Sequence, residues 1–538
     1  MKQLFTSVLA VLLISSSFSQ TWSWAKSYGG NSYDDGNAIA VDAAGNSYVT
    51  GSFQDTAIFG SFTLIADGDA DIFTAKFDPS GNCLWVKKGG GLYGEAGYGI
   101  CLDGANNVYI TGSYNASPLT FGSFTLPLAV WNDIFLVKYD NNGNEQWAVK
   151  AGGSMNDYGY GLAFDGSNSI YMVGNFEGTG TFGSNSISSA GWGDIVVAKY
   201  DISNGNCTWA VKGGGNGNDN GKGIYYGAGN IYVTGYFRNT GTFGALPALS
   251  ATGLDEMFAA KLDPNGTWLW AVKGGGPMND AGLAVTADAG GTCFVTGYYD
   301  GSGTFGTASL TSQGSQDIFI SKYNANGVFQ MAKSHGGWAN DKGFGILIDL
   351  NGDIILAGEF EGTATFDLNT IQVLGISDFY VARCNAMNGN SDWVVKGGAE
   401  DEDKLYGMSK DAANDIYITG YYRLNCEFLA LPTLAGPNGR NEVYIAKLTY
   451  PLSVEENAAG SQFTLFPNPA NSQLNVNNTS GAKWTCYVMD EVGRVLLKEM
   501  FHSNDGSLNI EGLAPGIYFI EILTEGITLS GKAKFVKN

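Results

Sequence analysis

The 538-residue chain is long for one ordinary core, and its 78 glycines, 28 tyrosines and 30 phenylalanines stand beside only 15% charged residues, a composition of strand and turn formers rather than helix surfaces. A formal net charge of −22 excludes nucleic acid and anionic membrane as partners, because phosphate binding needs clustered Lys and Arg. What remains is an all-β protein built as several domains or as one large repeat assembly.

The opening MKQLFTSVLAVLLISSSFSQ has a basic Lys2, an apolar run from Leu4 to Ile14 and small residues at Ser17 and Ser19, which marks residues 1–19 as a signal peptide. The mature protein is expected to begin at Gln20, to lack a transmembrane segment and to be a monomer. Seven cysteines (Cys83, Cys101, Cys207, Cys293, Cys384, Cys426 and Cys486) show no close pairing and read as small buried hydrophobes rather than a disulfide frame or metal site.

From Trp24 onward a repeat is visible. Trp24, Trp85, Trp147, Trp209, Trp270, Met331 and Trp393 are spaced by 61 or 62 residues, and so are the glycines at 51, 112, 174, 235, 297, 358 and 420. The first copy alternates as four strands, Asn37 to Asp42, Ser47 to Phe53, Asp71 to Asp78 and Cys83 to Gly89, with DAAGN and DPSGN as the tight turns. Seven four-stranded sheets predict a seven-bladed β-propeller over residues 20–450, with the first strand of each copy lining a central channel. The last copy lacks a strand and the mature chain begins with a spare one, so Trp22 to Tyr28 is expected to close the ring. The glycine inside each second strand is predicted to leave room for a large aromatic side chain of the adjoining blade.

Acidic residues recur on the connection entering each first strand: Asp34 or Asp35, Glu95, Asp157, Asp219, Asp280, Asp341 and Asp403. They form a ring at the channel mouth, read as loop capping in preference to cation binding or hydrolysis, since a catalytic constellation breaks symmetry. Only His335 and His502 exist, so no multi-histidine metal site can be assembled, no catalytic residue is assigned, and His335 is expected to make a loop contact. Asp67 to Phe73 and Asp349 to Asp353 are similar to calcium loops but lack the full pattern, leaving calcium open and no other cofactor expected. Trp131, Trp192 and Trp338 break the repeat on one loop face and are the candidate ligand-binding residues, suited to a glycan or a surface protein.

Residues 451–462 read as a polar linker, and residues 463–538 as a small β-sandwich-like domain with Pro-Asn-Pro, Val-Gly-Arg and Ala-Pro-Gly turns. The motifs from Asp42 to Gly51 and from Asp317 to Asn324 resemble SBBP-type propeller repeats of secreted bacterial proteins. The tail resembles the type A sorting domain of type IX secretion in Bacteroidetes. That resemblance rests on Pro467, Asn468, Pro469, Asp490, Gly493, Leu513, Pro515, Gly516, Tyr518, Phe519, Lys532, Lys534 and Lys537. It implies recognition by the type IX machinery at the outer membrane and delivery to the cell surface or the medium. The whole then reads as a binding, adhesion or structural module, with a carbohydrate-active enzyme using the channel-mouth carboxylates as the alternative.

Overall fold

The computed structural model describes residues 20–436 and 439–449, and in the tail 463–467, 470–478, 483–489, 495–502, 505–514, 516–524 and 531–537. All regular structure among them is β-strand, in two units, Gln20–Tyr450 and a tail from Pro451 onward.

In the first copy Asp34–Val41, Ser47–Phe53, Asp71–Phe77 and Cys83–Gly90 pair antiparallel in that order. The next five copies repeat this order. The seventh sheet consists of Lys404–Lys410, Ile416–Tyr422 and Glu442–Thr449, and its outermost strand is the N-terminal Thr21–Gly30, with Thr21 opposite Thr449 and Tyr28 opposite Val443. The first strand of each sheet is innermost. Asp34–Val41 lies against both Ala96–Leu102 and Lys404–Lys410, so the ring of inner strands is closed.

The tight turns form because Asp42 Oδ1 accepts the N–H groups of Ala44 and Asn46 while Gly45 takes a φ of +83°. Asp78 repeats the arrangement before the fourth strand.

The in-strand glycine has a different cause from the one expected. A Cβ on Gly51 would lie 1.8 Å from the Asp35 carbonyl oxygen, and one on Gly174 would lie 1.9 Å from that of Tyr158. The obstruction is the inner strand of the same sheet, not an aromatic ring of the next. At this point every inner strand carries a β-bulge, with register shifts at Gly36/Ala38, Gly97/Gly99, Gly159/Gly161, Gly221/Gly223, Gly282/Ala284, Gly343/Gly345 and Leu405/Gly407. The bulged backbone presses onto the second strand, where only glycine fits.

A further element joins the sheets. Each connection between second and third strands is a hairpin whose foot pairs with the end of the preceding sheet's outer strand: Thr181 opposite Gly152, Thr242 opposite Gly214, Thr304 opposite Gly275. Phe59, Phe121, Phe182, Phe243, Phe305, Phe366 and Phe428 of these hairpins are fully buried. Phe121 and Phe243 cover Gly89 and Gly213 of the outer strand, leaving no space for a side chain there. His335 replaces that glycine in the fifth sheet and stacks on Phe366 at 5.1 Å. His335 is therefore a buried strand residue, not a loop contact: its Nε2 lies 3.0 Å from the Gly389 carbonyl, and burial lowers its pKa to about 4. The cysteines are unpaired, and all but Cys83 are buried.

The tail forms a three-stranded sheet of Phe463–Phe466, Gln473–Asn478 and Asp505–Asn509 and a four-stranded one of Val495–Phe501, Trp484–Met489, Gly516–Thr524 and Gly531–Lys537. They share a core around Trp484, Cys486, Leu508 and Ile520. Tyr518 is buried and donates to the Ala514 carbonyl at 2.8 Å, next to Gly516 at the start of its strand. Pro467 is exposed after the first strand, and Lys534 lies in the last one. Asn468, Pro469 and Gly493 lie outside the described residues.

Candidate functional site: the channel mouth and its loop face

Connections entering the inner strand of one sheet run beside those entering the third strand of the sheet before it. Asp157 N–H donates to the Asn132 carbonyl, Asp280 N–H to that of Asp255, and Gly193 bridges to Asn218. One face of the ring thus carries the mouth of the channel and both sets of loops.

At each of these junctions an acidic residue begins the inner strand. Asp157 is fully buried, accepting the Gly153 N–H at 2.6 Å on Oδ2 and the Glu177 N–H at 2.9 Å on Oδ1. Asp34, Asp219, Asp280, Asp341 and Asp403 accept the same two bonds, and Glu95 accepts the Gly91 N–H. These carboxyls fasten two loops of backbone, and burial raises them, Asp157 to about 7 and Glu95 and Asp341 to about 8.

A second buried acid, unremarked in the sequence reading, opens each third strand: Asp71, Asp133, Asp194, Glu256, Asp317, Asp378 and Glu442. Five of them pair with Lys88, Lys150, Lys212, Lys273 and Lys396. Ser334 and Ser27 occupy the corresponding places beside Asp317 and Glu442. There both members of the acid pair are raised, Asp317 to about 6 with Asp341 to about 8, and Glu442 to about 8 with Asp34 to about 7. The calcium-like loops hold protein cations: Arg383 pairs with Asp349 at 2.8 Å and Asp353 at 2.5 Å, and Lys88 with Asp67 at 2.6 Å. No group of three or more Asp, Glu, His or Cys among the described residues is placed to hold a metal ion.

Just inside the mouth the bulges leave one inner-strand residue per sheet without a ladder partner: Asn37, Tyr98, Tyr160, Lys222, Leu283, Phe344 and Tyr406. Bulges re-aim side chains in this way. All seven are half-buried, and several reach around the ring to the next. Tyr98 meets Tyr160 at 5.7 Å, Phe344 meets Tyr406 at 5.6 Å, and the Lys222 ammonium lies 3.5 Å from the centre of the Tyr160 ring. Above them the two arcs of the mouth differ. Through the sixth, seventh and first sheets runs an ion chain from Lys342 through Glu359, Lys404, Glu402 and Arg423 to Asn441 and Asp35. The opposite arc carries Tyr158, Tyr236 and Tyr298.

On the outer part of the same face, Trp131, Trp192 and Trp338 are 57%, 78% and 69% exposed. None makes a ring contact with another aromatic among the described residues, which leaves the indole faces open. Trp338 lies over Gly362, whose φ is +64°, and lines a cavity of about 460 Å³ with Glu361, Thr363, Gln372 and Ile376. Leu92, Val130, Met155, Leu254 and Met278 are also exposed on the junction loops.

Residues 464–538 match the family of secretion system C-terminal sorting domains, and residues 24–52 match the SBBP β-propeller repeat. The tail is a type IX sorting domain. It directs export of the propeller to the cell surface or beyond, and makes the type IX secretion machinery a partner of the chain. No helix among the described residues is long and apolar enough to cross a membrane. Among curated proteins the chain is 24% identical over 509 residues to an uncharacterized WD repeat-containing protein of Acanthamoeba polyphaga mimivirus, an alignment covering 74% of this chain. It is 25% identical over 348 residues to the regulatory protein FlaEY of Caulobacter vibrioides, covering 61% of this chain. The chain spans 36% of the length of each relative. Solved structures with similarity include a quinohemoprotein alcohol dehydrogenase from Comamonas testosteroni, with a TM-score of 0.40 and 12% identity over 80% of this chain and 76% of that one. Another is PorZ of Porphyromonas gingivalis, with a TM-score of 0.29 and 12% identity over 92% of this chain and 73% of that one.

Proposed function

We propose that the exported propeller is a binding module whose loop face engages a glycan or a surface protein through Trp131, Trp192 and Trp338. The observation that carries this reading is their exposure at positions where the other copies hold no tryptophan, so the fold does not require them. Indole faces stack on sugar rings and partner side chains, each contact contributing about 0.5–1.5 kcal/mol beyond area burial. The cavity beside Trp338 adds a carboxylate at Glu361 and an amide at Gln372, the polar complement that orients a sugar once its face is stacked. The ring acids, committed to backbone N–H groups, are read as frame rather than as the acid and base of a hydrolase.

The test is a glycan and protein array probed with the mature chain and with the triple variant Trp131→Ala, Trp192→Ala, Trp338→Ala. The variant is expected to lose the array signal while melting within a few degrees of the parent. A variant that binds as before removes the loop face from the function. Deleting residues 463–538 should leave a folded propeller retained in the cell envelope, as read by fractionation.

A further inference from the structure

Among the described residues, the mouth of the channel holds a cation with no ion pair and two buried amides whose oxygens have no hydrogen-bond partner. Lys222 is the one lysine among the seven bulge residues, and its ammonium makes no ion pair among the described residues; its neighbour is the face of Tyr160. In a chain with 51 acidic and 29 basic residues, an unpaired ammonium drawn into the lumen is costly unless something anionic meets it there.

The cross-strand pair just above the bulge is Tyr158 opposite Asn175 in the third sheet and Asn220 opposite Tyr236 in the fourth, the same two residue types with strands exchanged. Asn175 is 7% and Asn220 6% exposed, and the side-chain oxygen of each has no hydrogen-bond partner among the described residues. The Asn220 amide lies against the Tyr160 and Tyr236 hydroxyls, which places it on the channel side of its sheet. A buried amide oxygen left unmatched is costly, so the Asn175 and Asn220 oxygens, one on the sheet next to that of the unpaired ammonium and one on the ammonium's own sheet, are acceptors open to ligand donors. Tyr98, its ring tilted 40° to that of Tyr160, provides an aromatic wall.

We propose that this arc of the channel, between the second and fifth sheets, binds a small polyhydroxylated carboxylate, a sugar acid either free or at the end of a chain. Lys222, held over the face of Tyr160, takes the carboxylate, the Asn175 and Asn220 oxygens accept ligand hydroxyls, and the ring lies against Tyr98. The ion chain of the opposite arc is internally neutralised and takes no part. This site is separate from the tryptophans of the loop face and does not depend on their reading.

Calorimetric titration of the mature chain with galacturonate and with galactose tests it. Galacturonate is expected to bind, with galactose weaker by about ten-fold or more, and Lys222→Gln is expected to lower galacturonate affinity by a similar factor. Absence of galacturonate binding, equal affinity for the neutral sugar, or unchanged affinity in Lys222→Gln overturns the assignment. Should Lys222→Gln fail to fold, Asn220→Asp sets a carboxylate beside the bound anion and is expected to weaken binding to the same degree; unchanged affinity there also overturns it. The triple tryptophan variant should bind galacturonate normally, and loss of binding in that variant would move the ligand to the loop face. A trigalacturonate that binds more tightly than the monomer marks a polymer end as the source, whereas equal affinity marks a free acid; both support the site.

Discussion

Two residues separate the acid that opens each inner strand from the residue its bulge turns into the channel, and the two positions behave oppositely. The first is Asp or Glu in all seven copies; the second is Asn, Tyr, Tyr, Lys, Leu, Phe and Tyr. The acid satisfies backbone N–H groups that every sheet presents in the same place, so repetition of the fold repeats the residue. The bulged residue has no ladder partner and faces a lumen shared by seven different neighbours, so the fold leaves its identity free. In this ring the copied positions report on architecture, and the positions that differ between copies report on what the channel meets.

The strongest way to break that contrast is to open the ring. Deleting Gln20–Gly30 strips the outer strand from the seventh sheet and exposes the edge of Glu442–Thr449, which should convert the protein to aggregate or strand-exchanged oligomer in size-exclusion chromatography. A monomer with the parental melt would mean that the closing strand is dispensable. Next comes the copied glycine. Gly174→Val drives a Cβ into the Tyr158 carbonyl at 1.9 Å and should cost about 3 kcal/mol or more, because backbone rather than a movable side chain must yield. An unchanged calorimetric transition would show the bulge to be incidental.

A smaller effect sharpens the contrast within the frame itself. Asp34, Asp341 and Glu442 have folded pKa values of about 7, 8 and 8, raised by burial above the ordinary carboxyl range of roughly 4. The folded state therefore keeps protons on these groups that the unfolded chain has released, and their contribution to stability is full below about pH 4 and is lost as pH rises toward 8. The melting temperature should drop between pH 5 and pH 8. Asp341→Asn, which removes the titrating group at the cost of one of its two backbone N–H bonds, should lower the melt but flatten that drop, whereas identical slopes in parent and variant would dissociate it from this junction. The smallest effect belongs to the variable ring: Leu283→Gln should change stability by no more than about 0.5 kcal/mol, since the residue is half-buried with no ladder partner to lose. A loss as large as that of Gly174→Val would erase the distinction between frame and lumen.

Most of the frame was legible in the chain. Alternation placed the four strands, Asp-x-x-Gly-Asn placed the turns, and the spare Trp22–Tyr28 strand pairs with Val443–Leu448. The hairpins that bind one sheet to the preceding one were passed over, although Phe59, Phe121, Phe182 and their counterparts recur with the repeat. Their reason is a pairing with another sheet, and strand segments as short as Leu119–Phe121 show too little alternation to announce it. The glycine was noticed and misexplained for a related reason. A bulge is a property of two strands in register, and the partner carbonyl that fills the space at Gly51 is invisible until they are paired. The acid ring was found, but its partner at Asp71 was read as the first residue of a strand, its charge hidden in an otherwise apolar run. The exposed tryptophans were found because they break the pattern; Lys222, which breaks it just as plainly, was masked by the glycines on either side.

The strand Glu442–Thr449 is held on both edges, by Ile416–Tyr422 and by Thr21–Gly30, and the chain continues from it toward the sorting domain. A force along the axis of this strand would have to part it from both neighbours. Two antiparallel ladders would then be loaded in shear, their hydrogen bonds resisting together instead of parting one at a time as in a peeled edge. Force reaching this strand would meet a doubly braced element of the last sheet, with the strand Thr21–Gly30 serving as the second brace.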